Sequence, residues 1–322
     1  MILYFPFLGD RLHKAILSTL LFLLAIANLP RAGDAKKSAD QPILLFGECN
    51  SGIIQQLSNG QVSPYFSGQD LGVILNIQVT GNTLYVSSIE RQQEYQMLSR
   101  ITGGTLDKQW PGLMGGIGLL PLNHKHLLSG GTGRTIYPYK VNSSLSLPAG
   151  QSFPAYTGKS AIKFARNSQG DIYILDVNEG VLCKIKRNTE GEYDWQNMVV
   201  LSKDYPRAVQ IAVDEQDRII LGIAGVEIEP LNIPRDNESR IVLLEDSGNE
   251  VRLLATKSDK SIRFFFGPRG GLVAVSSEAY FISSSGGDSI IRMGYNNDGF
   301  GDPTVILKTD KTISGLAVKN SL

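Results

Sequence analysis

Histidine and cysteine are almost missing from this chain, which has three of one and two of the other in 322 residues. His13 lies in the first 35 positions, so only His124 and His126 serve the rest. Catalytic zinc usually takes three protein ligands. Two histidines at i, i+2, with no cysteine nearby, argue against such a centre. The pattern GxSxG is absent, and a serine nucleophile needs a base beside it. No excess of charge is present either: 31 basic residues balance 31 acidic ones. That balance gives no basic face for a polyanion, so no nucleic-acid partner is predicted. Helical periodicity is scarce after residue 40. The longest apolar run, Ala15 to Leu29, falls short of the roughly 20 residues that span a bilayer.

What is present begins with that run. Arg11, His13 and Lys14 precede it, and Pro30 with small residues follows through Ala35. A basic start, an apolar centre and a small-residue exit read as a secretory signal, with an uncleaved anchor as the alternative. The expected organisation is a signal peptide or signal anchor over 1–35, a linker over 36–41 and one domain over 42–322. The protein is then secreted or periplasmic, with no membrane contact beyond the signal segment.

From Ala161 to Lys186 the chain reads apolar run, turn, apolar run, polar corner, apolar run. That is strand, tight turn, strand, loop, strand. Opening strands of this kind start near Gly72, Ile117, Ala161, Ala208, Ile262 and Ile313, about 44 to 54 residues apart, the period of four-stranded propeller blades. Glycine is abundant, at 34 residues, and sits mostly between these runs, as turns require. The last opening strand, ISGLAVK, has no blade behind it. The start of the domain, Pro42 to Gly68, supplies second, third and fourth strands, with Asn59-Gly60 as a hairpin turn. The predicted fold is therefore all-β: a six-bladed β-propeller whose first blade is completed by the C-terminal strand. In blade 6, LVAVSS is read as the second strand. Cys49 and Cys183 fall in opposite blades, too far apart for a bridge, so two free thiols are expected.

The stretch SQGDIYILDVNEGVLCKI, with Asp176 and Asn178 in a D-x-N pattern, resembles the repeats of NHL propellers. GNTLYVSSIERQQEYQML and the closing ISGLAVK are similar to them in a looser way. The wider six-bladed set includes gluconolactonase-like and strictosidine-synthase-like proteins. The resemblance implies an architecture more than an activity, because one fold hosts many functions. In the family pattern the aspartate caps the neighbouring turn, and that is the role expected of Asp176.

In a propeller, loops joining blades and loops joining second to third strands share one rim around the channel mouth, a usual place for a ligand. The residues expected there are Glu48, Arg91, Arg134, Asp176, Asn178, Arg207, Arg235 and Asp288. A mouth with both signs of charge suits a protein, peptide or glycan ligand. The insertion from Gly225 to Glu238 carries two prolines with Ile228, Leu231 and Ile233, and reads as surface decoration, with a lid or contact loop over the site as the alternative. No cofactor is predicted. A divalent cation, Ca or Mg, is the alternative, since Asn296 to Asp302 places oxygen ligands around a glycine but lacks the distal glutamate of a calcium loop. Gluconolactonase-like proteins hold a metal with Glu, Asn and Asp near the opening strands. Here the residues before those strands are Leu71, Gly116, Ser160, Arg207, Ser261 and Thr312, none of which fits. The expected function is a non-catalytic binding module. The alternative is a metal-dependent, lactonase- or esterase-like hydrolase using Glu48, Asp176 and Asp288.

Overall fold

The structure is a computed structural model that describes residues 41–49, 51–68, 71–91, 95–131, 136–141, 145–146, 162–177, 179–225, 238–259, 269–283 and 287–319. The signal segment, residues 226–237 of the insertion, Ala161, Arg134, Asn178 and Arg235 lie outside them.

Blade 1 starts with β1 (Ile43–Glu48), β2 (Ile54–Ser58) and β3 (Gln61–Phe66). Blade 2 is β4 (Val73–Thr80), β5 (Thr83–Ile89), β6 (Gln96–Thr102) and β7 (Thr105–Pro111). Blade 3 is β8 (Gly118–Pro121), β9 (His126–Gly130), β10 (Tyr137–Val141) and β11 (Leu145–Ser146). Blade 4 is β12 (Ile162–Arg166), β13 (Ile172–Asp176), β14 (Val181–Ile185) and β15 (Val199–Ser202). Blade 5 is β16 (Ala208–Val213), β17 (Ile219–Ile223), β18 (Ser239–Asp246) and β19 (Val251–Asp259). Blade 6 is β20 (Leu272–Val275), β21 (Glu278–Ser283), β22 (Ser289–Asn296), a short β23 (Gly299–Phe300) and β24 (Thr304–Lys308). The last strand, β25 (Ile313–Lys319), pairs antiparallel with β1, with Leu44 opposite Val318 and Leu45 opposite Ala317. The sheet order β25-β1-β2-β3 completes the first blade, and the fold is a six-bladed β-propeller.

Side chains alternate between the two faces of each strand, so every blade has an apolar layer for each neighbour. The buried residues accordingly fall into clusters between successive blades. Leu45, Ile54, Ile74 and Val86 join blades 1 and 2. Leu98, Trp110, Leu127 and Tyr139 join blades 2 and 3. Leu128, Phe164 and Ile174 join 3 and 4. Tyr173, Leu175, Ile211 and Leu221 join 4 and 5, and Ile220, Ile241, Phe281 and Ile291 join 5 and 6. The ring closes where Tyr280, Ile282 and Ile290 of blade 6 meet Leu44, Phe46 and Leu316 of blade 1. Second strands such as β13 and β17 are buried along their whole length, being covered on both faces. Each large side chain buried this way contributes about 1.5–3 kcal/mol.

Blade 6 corrects the sequence register. Its innermost described strand is LVAV, expected as the second, and EAYFIS is the second strand; the stretch starting at Ile262 lies outside the described residues. The turn between them is Ser276-Ser277, with φ of 52° and 58°. Two left-handed residues make the turn that best fits the twist of a hairpin, but serines do not announce it as Asn59-Gly60 does. A close approach also fixes Gly315 in β25. Its φ is +59°, and a Cβ there would stand 3.0 Å from the Ile77 side chain of the next inner strand. Cys49 and Cys183 are both free and buried, and burial pushes the Cys183 thiol up to about 11.

Candidate functional site: the two mouths of the channel

The inner strands β25, β4, β8, β12, β16 and β20 surround the channel. At one mouth they begin, beside the blade-joining loops. At the other they end in tight turns.

The described residues expected at the first mouth are engaged with their own loops. Glu48 is buried at the end of β1. Its carboxylate accepts from Ser51 Oγ at 2.6 Å, Gln55 Nε2 at 2.7 Å and Lys311 Nζ at 2.8 Å. Burial raises its pKa, but these donors outweigh that and hold it below the usual carboxylate range. Arg91 Nη2 donates to the Cys49 carbonyl at 3.2 Å, which brings the blade 2 loop against the loop after Glu48. Asp176 Oδ1 accepts from the Glu179 N–H at 3.2 Å, and its carbonyl from the Gly180 N–H at 2.9 Å, so it caps the turn after β13. Arg207 has φ of 67°, and its carbonyl receives the Ala224 N–H. Burial, then the nearby Arg240, lowers the Arg207 pKa. Asp288 accepts from Ser289 Oγ at 2.7 Å. Among the described residues, no three His, Cys, Asp or Glu side chains gather into a ligand set. The Asn296–Asp302 hairpin has Lys257 at its carboxylate: Lys257 Nζ lies 2.6 Å from the Gly301 carbonyl and 3.0 Å from Asp302 Oδ1.

The second mouth holds a cavity of about 270 Å³. It is lined by residues of all six inner strands, among them Val79, Leu120, Phe164, Ile211, Leu272 and Leu316. Among the described residues, the polar side chains in its wall are Gln78, Thr80 and Arg166, with no acid beside them. Inner strands are sheet edges, so their free backbone N–H and C=O groups add hydrogen-bonding capacity along the channel. Arg166, exposed at the end of β12, donates from Nη1 to the Leu122 carbonyl at 3.2 Å across the blade 3–4 boundary.

Lys163 lies next to this cavity. It shares a strand face with Ala165, which lines the wall, and stands one alternation further up the channel. It is 4% exposed. No described residue hydrogen-bonds or ion-pairs with its amine, and burial pushes its pKa down to about 7. At the same level β4 supplies Asn76, which donates to the Ile117 carbonyl at 2.9 Å and accepts from Gln78 at 3.1 Å. Sequence reading placed the site at the other mouth and passed over Lys163. Its one signal was a lysine inside the otherwise apolar opening AIKFA.

Two other buried ionic groups are structural. Lys184 and Tyr173 of blade 4 both donate to Asp246 Oδ2 of blade 5 at 2.6 Å. Asp214 Oδ2 accepts from Arg218 Nε at 2.7 Å and from Tyr295 OH of blade 6 at 3.0 Å. Each ties one blade to the next.

No protein-family profile matches the chain. No curated protein sequence matches it either. Solved structures share the fold at low identity. The periplasmic gluconolactonase of Pseudomonas aeruginosa superposes with a TM-score of 0.55 at 10% identity, over 82% of this chain and 82% of that one. A candidate 6-phosphogluconolactonase of Bacteroides fragilis gives 0.54 at 11%, over 89% and 100%. TolB of Acinetobacter baumannii gives 0.53 at 13%, over 99% and 74%. At such identities the likeness concerns the propeller architecture.

Proposed function

We propose that this chain is an exported propeller that binds a ligand at its channel mouths without transforming it. The observation that carries the reading is the cavity at the turn-side mouth, built by all six inner strands from apolar residues and their backbone polar groups. Among the described residues its wall offers no carboxylate, histidine or cysteine, and so no acid–base pair or metal-ligand set. Apolar walls with a few placed polar groups are the usual make-up of a small-molecule site. The opposite rim, with Arg91, Arg207 and Asp288, remains a surface for a protein, peptide or glycan; Glu48 and Asp176 are buried beneath it.

Export rests on the basic, apolar and small-residue succession before residue 36. A periplasmic protein among the structural neighbours agrees with it. The hydrolase reading, which the names of two neighbours bring to mind, finds no described ligand set to support it.

The test is a ligand-observed NMR screen of small polar molecules against the wild type and two mouth-filling variants, Thr80→Trp and Ala274→Trp. Both positions are half-buried and line the cavity, so the fold can absorb the larger ring. Hits that disappear in both variants support the channel as the site. Hits that persist in both overturn it.

A further inference from the structure

We infer that the turn-side cavity is a site for a small organic carboxylate, with Lys163, buried one side-chain alternation beyond the wall, as its counter-ion and Arg166 as the cation at its mouth. The inference rests on the channel-binding reading above and names the ligand class.

A lysine amine taken out of water and left without a partner is costly. Proteins that retain one usually pair it with a carboxylate, yet Lys163 has neither carboxylate nor acceptor among the described residues. The neighbouring blades could have supplied one. At the same channel level stand Asn76, whose amide is already spent on the Ile117 carbonyl and Gln78, and Gln210, a neutral side chain. The position is therefore a cation without an anion, one side-chain alternation from an accessible cavity.

The shape narrows the chemistry. The wall between the two cations is formed by Ile77, Val79, Phe164, Ile211, Leu272 and Leu316, whose backbone polar groups share the lining while most of the side chains pack between blades. One amine beyond the wall matches one negative charge. A phosphate dianion calls for several charged or charge-assisted donors, and among the described residues Lys163 is the one cationic side chain at that level. A small ligand with a single carboxylate fits. Entry of a carboxylate favours the charged amine, which burial otherwise discourages.

Benzoate is the probe, with benzyl alcohol as its uncharged counterpart and calorimetry as the readout. The variants are Lys163→Met, which keeps the length and apolar stem, and Lys163→Arg, which keeps the charge. Circular dichroism establishes that each is folded. The expected result is saturable benzoate binding in the wild type, weakened at least about tenfold in Lys163→Met, a loss typical of removing a buried charge partner. Lys163→Arg should retain part of the binding, and benzyl alcohol should not distinguish the three proteins. Equal benzoate affinity in wild type and Lys163→Met overturns the inference. So does benzyl alcohol binding as well as benzoate, although that outcome leaves the channel itself as a ligand site. Binding of neither probe at millimolar concentration overturns the carboxylate site, while the screen with mouth-filling variants still decides the broader reading.

Discussion

Lys311 and Glu48 are 263 positions apart in sequence, yet the lysine ammonium donates to the Glu48 carboxylate at 2.8 Å. The pair sits where the chain turns into β25, next to the bond from the Cys49 N–H to the Thr312 carbonyl at 2.9 Å. The ring is thus latched at its seam by a side-chain bond and a backbone bond, before the β1–β25 ladder begins.

Truncating the buried partner should cost more than truncating the exposed one. Glu48→Ala leaves Ser51, Gln55 and Lys311 without their acceptor, and is expected to cost about 1–3 kcal/mol. Lys311→Met removes a half-exposed charge and should cost roughly 1 kcal/mol or less. Urea midpoints of the two variants and the double variant measure both costs and their coupling. Equal costs would show that the carboxylate's other partners contribute nothing.

Acid should loosen the ring. Glu48 is held below its ordinary pKa by its donors. So is Asp246, where Lys184, Tyr173 and the Gly248 N–H outweigh the upward push of burial. Groups with a depressed folded pKa contribute stability above their unfolded values, about 4 for carboxyls, and lose it as pH falls through the folded ones. The urea midpoint should therefore drop below about pH 4, and Glu48→Gln should flatten part of that drop. An unchanged slope in Glu48→Gln would contradict this.

Lys163 should act in the opposite sense. Its folded pKa of about 7 lies below its ordinary 10.5. The unfolded chain therefore holds a proton that the folded one releases between those values. Stability rises with pH across that window, and the full penalty applies below about pH 7. Replacing a buried charge with an apolar side chain of similar volume often stabilises by about 1–4 kcal/mol. Lys163→Met should show such a gain near pH 6, shrinking towards pH 10. A gain independent of pH would mean that the amine is solvated in the folded protein.

The Ser276-Ser277 turn can be improved. Both residues already occupy left-handed φ, which Asn and Gly adopt at less cost. The double change Ser276→Asn and Ser277→Gly should raise stability by roughly 0.5–1 kcal/mol. A loss on thermal melting would mean that the serine side chains are themselves needed at that turn.

Magnesium, calcium, manganese or zinc at millimolar concentration should leave the melting temperature unchanged. Glu48 is already occupied by Lys311, and Asp302 by Lys257. A rise with any of the four ions would restore the hydrolase reading.

The comparison of Asn59-Gly60 with Ser276-Ser277 shows which parts of the fold could be read in advance. Both pairs form left-handed hairpin turns, but only the first carries residues whose chemistry demands one. The register of blade 1 was therefore legible and that of blade 6 slipped by a strand. The seam was legible because an unmatched strand at one end and an unmatched three-strand start at the other can satisfy their edges only together. The site was much less so. Glu48 and Asp176 look like presented charges in a list of loop residues, and only the fold reveals the donors that occupy them. Lys163 is harder still. Its isolation depends on what β16 and β4 bring to the same level of the channel, and no local pattern encodes that.

Joining β1 to β25 has a practical corollary. Ile43 is paired with Lys319, and the adjacent Val318 lines the cavity. Any purification handle or fluorescent fusion attached after Leu322 would be tethered within a few residues of the opening. Ligand assays on such a fusion would report on the attachment as much as on the protein. A handle inserted into the Gly248 turn between β18 and β19, in the outer part of blade 5, would avoid tethering at the chain end beside Val318.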